Sequence, residues 1–168
     1  MHTPSKHRGV LAEIFIMKIP VDINVKIERT DFSNYRNVAD VPAPSTVENK
    51  YKGLMTVSKK ILRLEYDEGT GIGGENLKTV VSSFGDFVSI SRSGGFNSSL
   101  FFEEGKACDC VCDAGFMPMN LRVYTKRLFN KLSPEGGNLE LDYTVEIVGN
   151  LAEANSFKLS FAPANCGS

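Results

Sequence analysis

From Val21 onward, apolar and polar residues alternate with a period of two. Val21, Ile23, Val25 and Ile27 are interleaved with Asp22, Asn24, Lys26 and Glu28. Successive side chains of an extended chain point to opposite faces, so this pattern predicts a strand with one buried face. The alternation returns over residues 52–58 and 60–67. In the second of these Leu62, Leu64 and Tyr66 oppose Arg63, Glu65 and Asp67. It returns again over 77–84, 87–92, 100–113 with Gly105 as a break, 117–125, 139–147 and 157–161, with glycine turns between. Met117, Met119, Leu121, Val123 and Thr125 share one face, and Pro118 sits near the start of its strand, where a missing N–H is tolerated. Residues 31–50 carry Pro42 and Pro44 and little periodicity, which predicts a long loop. No segment shows a convincing helical period. Nine or ten strands without a fixed repeat length predict an all-β antiparallel barrel or sandwich.

At 168 residues the chain is one domain long. The division expected is an N-terminal extension over 1–16, a barrel domain over 17–162 and a tail over 163–168. Met17-Lys18 directly precedes the first alternating strand, which fits a start at Met17; a weakly ordered arm is the alternative. Lys6-His7-Arg8 followed by Val10 to Ile16 imitates a secretory leader, but Glu13 interrupts its apolar core and no small-residue cleavage site follows.

Composition narrows the classes. The net charge is −1, without the basic excess of a nucleic-acid binder. No apolar run reaches membrane-span length. Three of four cysteines, Cys108, Cys110 and Cys112, fall within five residues, a poor spread for a disulfide framework; Cys166 is the fourth. These features predict a cytoplasmic protein with reduced thiols, no nucleic-acid partner and no membrane association.

Several stretches, in order, resemble the YwiB-like family, a bacterial domain of unknown function. They are Leu64-Glu65-Tyr66-Asp67-Glu68, Val88-Ser89-Ile90-Ser91-Arg92-Ser93-Gly94, Phe102-Glu103-Glu104-Gly105-Lys106, Tyr124-Thr125 and Gly137-Asn138-Leu139-Glu140-Leu141-Asp142-Tyr143. The resemblance spans roughly Val21 to Phe161. It implies a small closed up-and-down barrel of calycin type, lipocalin-like in shape, with about 8–10 strands. It implies no established activity and carries over no catalytic residue. The proline-bearing stretch 36–50 and the cysteine cluster depart from the pattern.

Gly69-Thr70-Gly71-Ile72-Gly73-Gly74 matches a dinucleotide fingerprint, but that fingerprint needs a helix N-terminus for the pyrophosphate. The β-branched run that follows predicts a strand, hence a glycine hairpin. Cys108, Cys110 and Cys112 share one face of a strand at ~6.6 Å spacing, too far apart for a mutual disulfide and unlike a structural zinc site. They read as packing residues, so no metal and no cofactor is expected. Both histidines, His2 and His7, lie in the extension, so the commonest general base is missing from the barrel. Glu103-Glu104 and Asp67-Glu68 are sequence neighbours, which a strand turns to opposite faces; both pairs read as solvated.

Arg92 shares a face with Val88 and Ile90 and so turns inward. Tyr66 and Tyr143 lie on apolar faces that could line the same interior, and Thr125 ends the inward row of its strand. A guanidinium there is either a structural plug closing one barrel end or an anchor for a carboxylate or phosphate. The first function expected is a non-enzymatic barrel holding a small apolar or amphiphilic ligand, with Arg92, Tyr66, Tyr143 and Thr125 as its candidate lining. The alternative is an interaction module, a homodimer, with a filled interior. An enzyme ranks third. An empty lumen of several hundred Å³ would favour the first.

Overall fold

The protein is described from a computed structural model over residues 17–32, 42–70, 74–95, 97–113 and 117–164. These form ten strands: β1 (Lys18–Asp31), β2 (Ser45–Ser58), β3 (Ile61–Thr70), β4 (Asn76–Ser83), β5 (Phe87–Ser93), β6 (Asn97–Glu103), β7 (Ala107–Asp113), β8 (Pro118–Ser133), β9 (Gly136–Ile147) and β10 (Asn150–Pro163). Every strand pairs antiparallel with its sequence neighbours, and β1 pairs with β10 to close the barrel. Closure removes free sheet edges. Among the described residues there is no α-helix, hence none long and apolar enough to cross a membrane. The expected extension 1–16, with His2 and His7, lies outside the described residues, as do Cys166 and residues 33–41.

Three sequence expectations need correction. The loop over 31–50 is shorter than expected. β2 begins at Ser45, and Ser45 to Lys50 pair with Arg29 to Asn24 of β1. Only Val47 interrupts a polar run there, so the ladder with β1 imposes the strand without an apolar rhythm. Met117 and Met119 do not join the inner face: they are 71% and 39% exposed. At that end β8 pairs with β7 alone, because its ladder with β9 begins only at Leu121, so the first residues of β8 stand beyond the two-sided wall. The strand expected over 139–147 starts earlier, at Gly136.

The interior below the open end is solid. Met55, Leu64, Phe102, Leu139, Leu141 and Phe157 are almost wholly buried, each contributing about 1.5–3 kcal/mol by leaving water. A bulge in β8 between Thr125 and Arg127 shifts its phase. Inward positions therefore run Val123, Thr125 and then Leu128, Asn130 and Leu132, with a net half-step in the alternation. Asn130 ties β8 to the β4–β5 connection at the end nearest the chain termini. Its Nδ2 donates to Ser83 Oγ (2.6 Å) and the Gly85 carbonyl (2.9 Å), and its Oδ1 accepts from the Leu132 N–H (3.1 Å). The opposite end, bordered by the β1–β2, β3–β4 and β5–β6 connections, is open among the described residues, where a recess enters between β1, β2, β3, β4 and β5.

Candidate functional site at the open barrel end

The inward alternation of β3 does not stop at Tyr66. It continues to Glu68, whose side chain is 19% exposed and enters the open end. On the neighbouring strands the register sets Tyr66 beside Thr79, and Thr79 beside Arg92. Glu68 Oε1 accepts from Thr79 Oγ1 at 2.9 Å and lies 3.7 Å from Arg92 Nε. The second distance is an ion pair but too long for a hydrogen bond. Above this group lies a recess of about 370 Å³, with Val25, Ile27, Val47 and Leu77 as apolar walls and Arg29, Tyr51, Glu68 and Arg92 as polar ones. That volume lies within the range of small-molecule sites.

All four residues singled out from the sequence point inward. Val88 and Ile90 are buried and Arg92 continues their face with its side chain 18% exposed. Tyr66 is buried, and its ring stacks on Tyr51 with centroids 4.9 Å apart. Tyr143 is buried and meets Phe102 edge-on at 4.7 Å. Thr125 is fully buried and is the register partner of Tyr143. Tyr66 and Arg92 meet around Glu68, while Thr125 and Tyr143 belong to the β8–β9 wall.

The hydrogen-bond account of this region is incomplete. Among the described residues, the buried side-chain polar atoms lacking a partner are Asn24 Oδ1, Tyr66 Oη, Arg92 Nε and Thr125 Oγ1. Three of these four belong to the inward set. A buried polar group without a partner costs about 1–3 kcal/mol, so each marks a place where the fold is not at its stability optimum. Burial raises the Tyr66 hydroxyl pKa well above its ordinary value, and the Glu68 carboxylate raises it further; the Arg92 charge offsets part of this. Tyr51 is shifted up by burial and by Glu68. Burial likewise lifts Tyr143, against the opposing pull of Arg92 and Arg29. The phenols therefore stay protonated and can donate.

A second charged group flanks the recess. Arg29 Nε donates to Asn155 Oδ1 at 3.1 Å and lies 3.6 Å from Glu153 Oε2, and Asn155 Nδ2 donates to the same oxygen at 3.2 Å. Sequence reasoning missed Glu68, Arg29, Thr79 and Tyr51. Glu68 was legible: extending the Leu62, Leu64, Tyr66 row by one step reaches it. Reading Asp67-Glu68 as a solvated pair was correct only for Asp67, which faces out and accepts from the Gly69 N–H at 2.9 Å. Glu103 pairs with Lys106, and Glu104 accepts from the Leu128 N–H.

The remaining motifs have structural places. β3 leads through a hairpin into β4, so no helix follows the glycine run; Gly71, Ile72 and Gly73 lie outside the described residues. Cys110 and Cys112 are buried, Cys108 is half-buried, and all three are free thiols. Among the described residues no cluster of His, Cys, Asp and Glu is arranged to hold a metal ion. A larger hollow of about 640 Å³ lies on the outer wall of β1, β2, β9 and β10. It is a dent between outward polar side chains, where Lys52 is paired with Asp22 and Asn24 donates to Glu48. The recess has the inward polar groups and the apolar walls, and is the better site.

Fold and site together define a closed ten-stranded antiparallel barrel carrying a polar recess at one end. The chain belongs to the family described as a domain of unknown function, DUF1934, whose model matches residues 33–159. It is similar to the crystal structure of the ywiB protein from Bacillus subtilis, with a TM-score of 0.72 and 20% identity over 88% of this chain and 94% of that one. Identity at that level speaks for the fold. Comparison with curated proteins gives no match.

Proposed function

We propose that this barrel is a non-enzymatic binding protein that takes a small amphiphilic molecule into the recess at its open end. The observation carrying this reading is Arg92 Nε, buried beside Glu68 without a hydrogen bond in the wall of an apolar-sided recess of about 370 Å³, with the Tyr66 hydroxyl, likewise without a hydrogen bond, close to the same carboxylate. Both groups donate, so the ligand presents an acceptor, such as a carboxylate, sulfonate or phosphate oxygen. Its apolar part rests on Ile27, Val47, Leu77 and the Tyr51 ring. The solid interior below limits the ligand to a molecule of metabolite size and leaves no room for a long acyl chain. The calycin-type likeness read from the sequence supports a binding role by analogy of fold. The described cysteines, none in a disulfide, fit a reducing compartment and a cytoplasmic location.

Titration with 8-anilinonaphthalene-1-sulfonate tests the reading, because that probe joins an aromatic body to an acceptor head. One saturable site is expected, weakened about tenfold or more in Arg92→Met. Cooperative thermal unfolding of both proteins excludes binding by a loosened state. No saturable binding, or equal binding by the folded Arg92→Met protein, would sink the proposal.

A further inference from the structure

The recess carries both signs of charge at close range. Glu68 Oε1 and Arg92 Nε are 3.7 Å apart, and Arg29, reaching the recess from β1, stands 3.6 Å from Glu153 on β10. Asp31, next along that face of β1, is itself partnered. Burial does most to raise the pKa of the Tyr51 and Tyr66 hydroxyls; beyond it, Glu68 raises both and Arg92 lowers both. The two charges are therefore felt together along one stretch of wall. Neither member of the Glu68–Arg92 pair is used up by the other. Nε has no hydrogen bond, and Oε1 takes one from Thr79 Oγ1. A carboxylate offers about four acceptor sites and a guanidinium a fork of N–H donors, so both keep capacity for a ligand.

We propose that the recess selects a zwitterion, an α-amino acid with an apolar side chain, taking its carboxylate on Arg92 and its ammonium on Glu68. This deepens, and rests on, the binding role of the recess. A bare anion bonded to Arg92 Nε sits close to the Glu68 carboxylate, and two like charges that near, away from bulk water, oppose each other. A ligand with an ammonium beside its own carboxylate turns that repulsion into attraction. In an α-amino acid both charged groups hang on one carbon, so they meet neighbouring opposite charges without spanning the recess. Val25, Ile27, Val47 and Leu77 supply the apolar wall for its side chain.

Calorimetric titration of the full chain at about pH 7, where carboxylates and ammonium groups are charged, tests this with two matched pairs of probes. They are phenylalanine against 3-phenylpropionate, and leucine against 4-methylpentanoate. The members of a pair share a carboxylate and an apolar body and differ in the ammonium. For at least one pair the amino acid should bind at one site, at least about tenfold more tightly than its acid. Glu68→Gln keeps an acceptor for Thr79 and should erase that preference, with the acid bound as well as before or better. Arg92→Met should weaken both members. The comparison within the wild type needs no variant to fold. Acids that bind as tightly as their amino acids, or a folded Glu68→Gln protein that keeps the preference, overturn the zwitterion and leave the binding role standing. Failure of both amino acids to bind a protein that takes up 8-anilinonaphthalene-1-sulfonate saturably does the same. The binding role itself falls on a different result, the absence of that saturable sulfonate site from the wild type.

Discussion

Glu68 and Arg92 face each other inside the open end of the barrel, with Oε1 and Nε 3.7 Å apart and Thr79 hydrogen-bonded to that carboxylate oxygen. Two mostly buried charges held this loosely keep the Coulomb attraction but lose the directed bond. The distance fits a site that leaves the guanidinium able to take another acceptor.

A double-mutant cycle measures how strongly the two groups depend on each other. Arg92→Met leaves the Glu68 carboxylate largely buried without its cation and should cost about 1–3 kcal/mol in chemical denaturation. Arg92→Ala should cost more, because it also opens a cavity. Arg92→Met combined with Glu68→Gln should recover most of the loss, since both charges are then gone. A double mutant as unstable as the sum of its singles would show that the charges are not coupled.

Tyr66→Phe is expected to stabilise the protein slightly at neutral pH, by up to about 1–2 kcal/mol, because the hydroxyl it removes is buried without a partner. The alkaline limb should change too. An unfolded tyrosine ionises near pH ~10. Burial raises the folded value, so in that window the folded state keeps a proton the unfolded state has lost. This contribution is fully present below about pH 10 and falls by up to ~1.4 kcal/mol per pH unit above it. Melting temperatures taken from neutral to strongly alkaline pH should fall less steeply for Tyr66→Phe. Tyr51 and Tyr143 shift in the same direction and keep some slope. An unchanged alkaline slope would contradict the placement of Tyr66.

Gly53 on β2 is small because two neighbours leave no room. A Cβ there would lie 2.6 Å from the Glu65 carbonyl oxygen and 2.6 Å from Ile23 Cδ1. The isoleucine can change rotamer, but the carbonyl belongs to β3 and cannot. Gly53→Ala should therefore cost about 1–3 kcal/mol through displaced backbone. Adding Ile23→Val should restore only part of it, a result readable from paired urea titrations. Complete rescue would place the conflict in the side chain alone.

The strand train was legible because nearly every element repeats an apolar residue on every second position, as in Val21 to Ile27 and Leu139 to Ile147. What escaped lay where that rhythm breaks for reasons outside the strand. The polar first half of β2 is held by its ladder with β1, and nothing in Thr46, Glu48 and Lys50 announces it. The bulge after Thr125 depends on how β8 meets β9 and moves Asn130 to the inside, where it bonds Ser83. Of the recess lining, Arg92 followed from face alone; the same rule gave the inward placement of Tyr66, Tyr143 and Thr125, which do not line it. Glu68 follows by the same rule once a carboxylate is allowed to point inward. Arg29 meets Asn155 and Glu153 across a separation of over a hundred residues, which no local pattern carries.

The cysteines of β7 give a prediction with graded reactivity. Cys110 is 2% exposed and Cys112 4%, whereas Cys108 is half-buried. Burial raises the Cys110 thiol pKa against the opposing pull of a Phe101 backbone hydrogen bond, and it raises Cys112 with a further push from Asp113. Alkylation needs thiolate and access, and both are reduced at these two positions. Brief iodoacetamide treatment of the native protein near pH 8, read by peptide mass spectrometry, should label Cys108 first and leave Cys110 and Cys112 largely unmodified until urea is added. Replacing all three by alanine should lower stability through lost packing, by about 1 kcal/mol or more in sum, without any dependence on added zinc or chelator. Stoichiometric zinc in the wild-type protein, lost in the triple variant and accompanied by unfolding on chelation, would instead make β7 part of a metal centre.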